Sequence, residues 1–237
     1  MIKLFLKTAI YRLRKDMFHS FLNIGGLALG LVAFLYIATY TFHEISYDGF
    51  HAKADRTYRC VTYVKMGETA QNISKSEIPL AAAAKNDLPE IEDAVRLYPL
   101  NEIITRYNEK KFIENEICYA DVNVFNVFDF KLLEGDPKTA LGEPNSIILE
   151  KEVALKYFGD ENPMGKSILL NSNKDPYVVT GILDKIPKNT HLQSKIYASF
   201  CTLPISKQPG GWGDFSNSYT YVGVPRGCSF PAGENPA

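Results

Sequence analysis

Apolar positions are spread along this chain in three ways, and each predicts a different kind of structure. From Phe21 to Phe42, 22 consecutive residues carry no charged side chain (FLNIGGLALGLVAFLYIATYTF). As a helix rising about 1.5 Å per residue, that run is roughly 33 Å long, enough to cross a hydrocarbon core of about 30 Å. Upstream, Leu6, Ala9, Ile10 and Leu13 share one helical face while Lys3, Lys7 and Arg14 gather on the opposite one, the pattern of a helix lying along a headgroup layer. Downstream, short runs separated by turn residues predict a domain of strands and small helices.

Within that downstream part, alternation predicts a strand over 57–65, with Tyr58, Cys60, Thr62 and Val64 on one face. A helix over 76–87 is expected to open on Ser76, with Glu77 in its first turn and Pro89 beyond its end. Strands are expected over 93–99, 102–107 and 111–119, then a short helix over 121–128 capped by Asp121. A strand over 146–149 leads to a helix over 151–158 closed by Gly159, and strands follow over 166–170 and 177–183. Strands mixed with short helices, without regular βαβ spacing, predict an α+β fold.

Charge gives the apolar run a direction. The formal net charge of −1 conceals a formal +4 in the first 20 residues, from Lys3, Lys7, Arg12, Arg14 and Lys15 against Asp16, and −5 in the rest. A basic tip on a mildly acidic body argues against a nucleic-acid partner and for an oriented anchor, with the cationic end cytoplasmic and the main domain outside. A mean hydropathy of −0.14 confines the membrane part to one segment. A cleaved signal would have an apolar region of about 7–15 residues ending in small side chains; this run is longer and continues through Tyr40, Thr41 and Phe42 into His43 and Glu44. Gly26 and Gly30 form a G-x-x-x-G pair, a spacing that lets a second transmembrane helix approach closely. The expected organisation is therefore a cytoplasmic amphipathic helix (1–17), a transmembrane helix with its stalk (18–46), an outer domain (47–222) and a tail (223–237).

Candidate chemistry is sparse. Gly159-Asp-Glu-Asn-Pro-Met-Gly165-Lys166-Ser167 approaches a phosphate-binding loop, but five residues rather than four separate its glycines. Its order of helix, turn and strand also supplies no helix N-terminus for a phosphate. His19, His43, His51 and His191 lack metal-ligand spacing, and no G-x-S-x-G marks a nucleophile. Trp212 is expected to be a packed loop anchor, and Cys60 and Cys118 to be buried thiols among apolar neighbours. No catalytic, cofactor or metal set emerges.

The residues also carry a resemblance. Phe18-His-Ser-Phe-Leu-Asn-Ile-Gly-Gly-Leu-Ala-Leu-Gly30, Glu44-Ile-Ser-Tyr-Asp-Gly-Phe-His51 and Asp55-Arg-Thr-Tyr-Arg59 resemble the opening of FtsX/MacB-type ABC transporter permeases. Tyr119-Ala-Asp-Val-Asn-Val-Phe, Gly135-Asp-Pro-Lys-Thr-Ala-Leu, Lys156-Tyr-Phe-Gly, Asn162-Pro-Met-Gly-Lys166 and Ile186-Pro-Lys-Asn-Thr-His-Leu192 continue it in order. The resemblance implies a permease subunit of the bacterial inner membrane with a periplasmic core domain of two subdomains. Its implied partners are a cytoplasmic ABC ATPase, a second permease copy, a periplasmic adaptor and membrane lipid; it implies no cofactor and no enzymatic activity of the chain itself. It further implies a stalk-domain junction at Tyr47, Asp48, Phe50, Asp55, Arg56, Tyr58 and Arg59. A membrane-anchored module that regulates a cell-envelope enzyme is the alternative role. Such permeases continue into three more helices, so the Gly- and Pro-rich 223–237 reads as a truncated or frameshifted, disordered end.

Overall fold

The computed structural model describes residues 4, 7–8, 11, 14–115, 117–170, 175–207, 211–212 and 217–228, apart from the side chain of Met66. The chain divides into two units, Met1–Tyr47 and Asp48–Ala237. The amphipathic face expected over 2–15 and most of the expected tail lie outside the described residues.

In the first unit, α1 (Met17–Ile45) is 29 residues long with a mean hydropathy of 2.1 over its most apolar window, long and apolar enough to cross a membrane. None of its residues is buried within the chain. An unburied apolar helix of this length is unstable in water, since each large side chain left exposed forgoes about 1.5–3 kcal/mol. At its C-terminal end Ser46 folds its amide back onto Phe42 O at 3.1 Å.

In the second unit most strands join one large mixed sheet. They are β1 (Thr57–Arg59), β4 (Asp93–Leu100), β5 (Ile103–Tyr107), β6 (Lys110–Glu114), β7 (Ile117–Ala120), β8 (Leu132–Glu134), β9 (Ser146–Glu150), β10 (Ser167–Leu170), β11 (Tyr177–Leu183), β12 (Ile196–Ser199) and β13 (Tyr219–Gly223). Their order is β1-β13-β4-β7-β12-β9-β11-β10-β5-β6, with β8 also paired to β11. Only β11 with β9 and β12 with β7 run parallel. β2 (Thr62–Met66) and β3 (Thr69–Ile73) form a separate hairpin.

Central strands are buried on both faces. Ile147, Ile148 and Leu149 of β9 and Tyr197 and Ala198 of β12 are almost completely covered. One face packs under α4 (Lys151–Phe158) through Val153, Ala154, Tyr157 and Phe158. The other holds Val95, Leu97, Phe128, Phe130, Leu183 and Tyr221. A third, smaller cluster sits beneath α2 (Leu80–Asp87). The crossing of β8 over β11 requires a glycine: Gly135 has φ 98°, and a Cβ there would stand 2.5 Å from Thr180 O.

Several expected elements are corrected. The helix expected from Ser76 begins at Leu80, because Ser76 is instead bridged to Ser218 and bonds Thr220 Oγ1 at 2.8 Å through its hydroxyl. The strand expected over 57–65 breaks after Arg59, where its partner changes from β13 to β3. The strand over 111–119 splits into β6 and β7, which serve different parts of the sheet. Asp121 does not cap the following helix, α3 (Val124–Val127). Its carboxylate takes Arg96 in a two-pronged ion pair at 2.8 and 2.9 Å. Gly223 and Val224, assigned to the tail by composition, are held in the fold: Gly223 ends β13, and the Val224 amide donates to Arg56 O at 3.0 Å. Trp212 is 66% exposed rather than a packed anchor.

Candidate functional site

The residues expected at the stalk-domain junction divide at the boundary between the units. Tyr47 closes the first, its ring edge-on to His43 at 5.6 Å. Asp48 opens the second. Its φ of 55° is a left-handed turn that Asp tolerates better than most residues, and from it the side chain reaches the 189–191 loop. The Asp48 amide donates to Asn189 O at 2.9 Å, and its carboxylate accepts from the Thr190 hydroxyl, the His191 amide at 3.3 Å and His191 Nδ1 at 2.5 Å. On its other side His191 Nε2 lies 2.6 Å from the Tyr221 hydroxyl in β13.

Electrostatics agree with this geometry. Partial burial opposes ionisation of Asp48, but the bonds from Thr190 and His191 and the His191 charge outweigh it and hold the carboxyl below its ordinary value. With that carboxylate ionised, Nδ1 of His191 must be the donor. Burial pushes the Tyr221 hydroxyl up to about 12, against the pull of Arg59. The Asp48–His191–Tyr221 series has the connectivity of a proton relay, but its terminal hydroxyl holds its proton too tightly to act as a nucleophile near neutral pH. It ties the first residue of the second unit to a strand next to the sheet edge.

Phe50, also expected at the junction, packs with His51. Phe50 covers the His51 ring at 4.0 Å, and Phe128 and Phe130 flank His51 edge-on at 5.4 and 5.1 Å. The amide of Asp129 donates to His51 Nδ1 at 3.0 Å, and the amide of Ala52 donates to Asp129 Oδ2 at 2.5 Å. Nδ1 is therefore the acceptor and Nε2 carries the proton, buried without a hydrogen-bond partner among the described residues. Burial, opposed by Asp48 and Asp129, lowers the pKa of His51, so the ring is neutral.

The remaining junction residues fasten β1. Arg56 donates through Nη1 to Glu92 Oε2 at 2.9 Å and to Val224 O at 3.2 Å. Tyr58 packs on the small cluster of Ala81, Ala84, Ile91, Ala94 and Val222. Arg59 pairs across from Tyr221. Asp55 is exposed in a 3-10 turn and joins none of these contacts. The hollow between Lys53, Arg56, Glu92 and Val224 is about 10 Å³, room for one water and no ligand. Gly26 and Gly30 lie exposed on α1, with nothing within 4 Å of where a Cβ would project.

Sequence reasoning missed His51, Thr190, His191, Tyr221 and Asp129. About 140 residues separate Asp48 from Thr190 and His191, so no local spacing can reveal the cluster; the quoted runs 44–51 and 186–192 were the usable signal. The near phosphate loop is not a phosphate site. The Gly165 amide donates to Val179 O at 2.8 Å and the Lys166 amide to Pro163 O at 3.1 Å. The Lys166 ammonium pairs with Glu161, which with Glu134, Lys151 and Asp160 lines a groove of about 540 Å³. Cys118 is buried, its thiol pushed up to about 12, whereas Cys60 is only half-buried; both, with Cys201 and Cys228, are free.

Comparison with known proteins matches residues 20–232 to the model of the MacB-like periplasmic core domain. A domain of a protein described as a permease from Porphyromonas gingivalis superposes with a TM-score of 0.64 at 18% identity, over 76% of this chain and 77% of that one. The periplasmic region of MacB from Actinobacillus actinomycetemcomitans gives a TM-score of 0.50 at 19% identity, over 65% and 68%. Among curated protein sequences nothing matches.

Proposed function

The chain belongs to the MacB-like periplasmic core domain family, and we propose that it serves in an ABC transporter permease as the membrane-anchored periplasmic part that couples cytoplasmic ATP hydrolysis to work outside the membrane. Permeases of this kind work with ABC ATPase partners. On this reading α1 crosses the inner membrane with its basic N-terminus in the cytoplasm, and the domain from Asp48 onward is periplasmic. Gly26 and Gly30 are where a second transmembrane helix, from another copy of the permease, would pack.

The observation that carries the reading is the length of the connection. Ser46 and Tyr47 alone separate the end of α1 from Asp48, and Asp48 is held by four hydrogen bonds to one loop. A two-residue link has little slack: fully extended it spans about 7 Å. An axial shift of the helix by a turn, about 5.4 Å, would load the Asp48 strut rather than be absorbed. Arg56, Tyr58 and Arg59 would pass that load to the sheet through β1 and β13.

The test is isolation of the tagged full chain from crosslinked native cells in detergent. The reading expects an ABC ATPase subunit in stoichiometric complex, and vanadate trapping of ATP should change the alkylation rate of a cysteine introduced at Ser46. Recovery of a cell-wall hydrolase without any ATPase would replace transport by regulation of an envelope enzyme.

A further inference from the structure

The far end of the sheet holds a surface that coupling does not use. β5 and β6 form a hairpin closed by Asn108 and Glu109, with Asn108 at φ 52° as a tight two-residue turn requires. Facing pairs alternate between its two sides. Ile103, Thr105 and Tyr107, opposite Glu114, Phe112 and Lys110, turn inward, and Thr105 is completely buried. Ile104 opposite Ile113, and Arg106 opposite Lys111, turn outward. On that outer side Ile104 is 42% and Ile113 67% exposed, and Leu169 of β10 lies beside Arg106.

Two properties of this outer side are costly for the isolated chain. Like charges directly opposite each other on neighbouring strands repel, and neither Arg106 nor Lys111 forms an ion pair among the described residues. Of the carboxylates nearest in sequence, Glu114 is on the inner side, bound to Lys156 at 2.6 Å, Glu109 is in the turn and Glu102 precedes β5, and none pairs with either cation among the described residues. Two isoleucines side by side in water add unburied apolar area. In addition β6 ends the strand order, so its outer backbone edge is unpaired among the described strands.

We propose that this hairpin docks an extended acidic segment of another protein, one that adds to β6 as a further strand and presents carboxylates and apolar side chains in turn along a single face, at every second residue. Strand addition satisfies the free edge, a carboxylate beside Lys111 offsets its repulsion with Arg106, and an apolar side chain two residues along covers Ile113. A second copy of this chain fits less well. Pairing β6 with its own equivalent brings Lys111 toward Lys111, the charge pattern that guards edge strands against self-association. A membrane surface fits less well too, because lipid headgroups offer no backbone groups to pair with the free edge of β6. The proposal stands whether or not the chain couples to an ATPase.

The experiment uses the full chain in phosphatidylcholine nanodiscs and a fluorescent heptapeptide, Glu-Thr-Val-Thr-Glu-Thr-Val, whose glutamates and valines share one face of a strand. The expected result is saturable binding that weakens with salt and falls at least about tenfold in Arg106→Glu. Folding is separable from binding in that variant, since a carboxylate opposite Lys111 relieves the cross-strand repulsion. Its melting temperature should equal or exceed that of the parent. Equal affinity in Arg106→Glu, or equal binding of the same peptide with lysine in place of each glutamate, overturns the proposal. So does capture by phosphatidylglycerol vesicles in place of peptide, which would assign the face to lipid, or a dimer that Arg106→Glu dissociates, which would assign it to a second copy.

Discussion

The two ends of the large sheet are built in opposite ways. At the β1 end, every junction residue from Asp48 to Arg59 except Asp55 is engaged: a carboxylate held by Thr190 and His191, a histidine between three phenylalanines, and an arginine on Glu92 and Val224. At the β6 end, two cations face each other and two isoleucines face water. On the proposed function, the β1 end would transmit displacement, which gains from polar groups satisfied inside the chain, because loose groups absorb motion. On the further proposal, the β6 end would bind, and it leaves part of its potential unfilled. Substitutions of similar size should therefore have very different consequences at the two ends.

The largest effect is expected at Asp48. Asp48→Ala removes three acceptor contacts and leaves a non-Gly, non-Asx residue at positive φ, which should cost about 2–4 kcal/mol in thermal unfolding of the full chain in micelles. An unchanged midpoint would mean that the strut carries no stability. Next comes Arg56→Ala. The Arg56 side chain is 20% exposed and that of Glu92 50%, so solvent screening limits the expected loss to about 1 kcal/mol, most of it from the Val224 carbonyl contact.

Acid should act first on the β1 end, ahead of the exposed Glu152–Lys185 and Glu161–Lys166 pairs, whose carboxyls are also held below their ordinary value. His51 has a folded pKa below its ordinary 6.5, so the unfolded chain takes up the proton first. The stability that His51 contributes is complete above about 6.5 and is lost as pH falls from there toward the folded value. Asp48 is also depressed, so its contribution persists above the ordinary carboxylate range and is lost only as pH falls through its lower folded value. Both groups lose stability toward acid, His51 first. Melting between pH 7.5 and 5.5 should show a falling midpoint, and His51→Asn, which keeps an acceptor for the Asp129 amide, should flatten that fall. A parallel slope in the variant would place the sensitivity elsewhere. The smallest effect is expected at Ile113→Thr, within about 0.5 kcal/mol in either direction. A loss comparable to that of Asp48→Ala would show that the β6 end is as closed as the other.

What could be read from sequence follows from how local each determinant is. The apolar run of α1, the α4 helix with Gly159 behind it, and β4, β5 and β11 stand near their expected limits because their signals lie within the segment. β12 and β13 escaped because strands buried on both faces do not alternate, and β8 because three residues are too few to show a period. Ser76 and Asp121 were read as helix caps, yet each found a stronger partner far along the chain, Thr220 and Arg96. Asp48 and Phe50 were singled out through the motif that contains them. Its chemistry depends on Thr190, His191 and Tyr221, which only the fold brings near.

Both ends acquire their roles only if the chain is threaded through the inner membrane with the domain outside. The direct measurement is a pair of reporter fusions at residue 60, alkaline phosphatase and a fluorescent protein that matures only in the cytoplasm, in membranes washed with alkaline carbonate. The account predicts active phosphatase, a dark fluorescent fusion and a chain that stays with the membrane. A bright fluorescent fusion with inactive phosphatase, or a chain released by the wash, would contradict it.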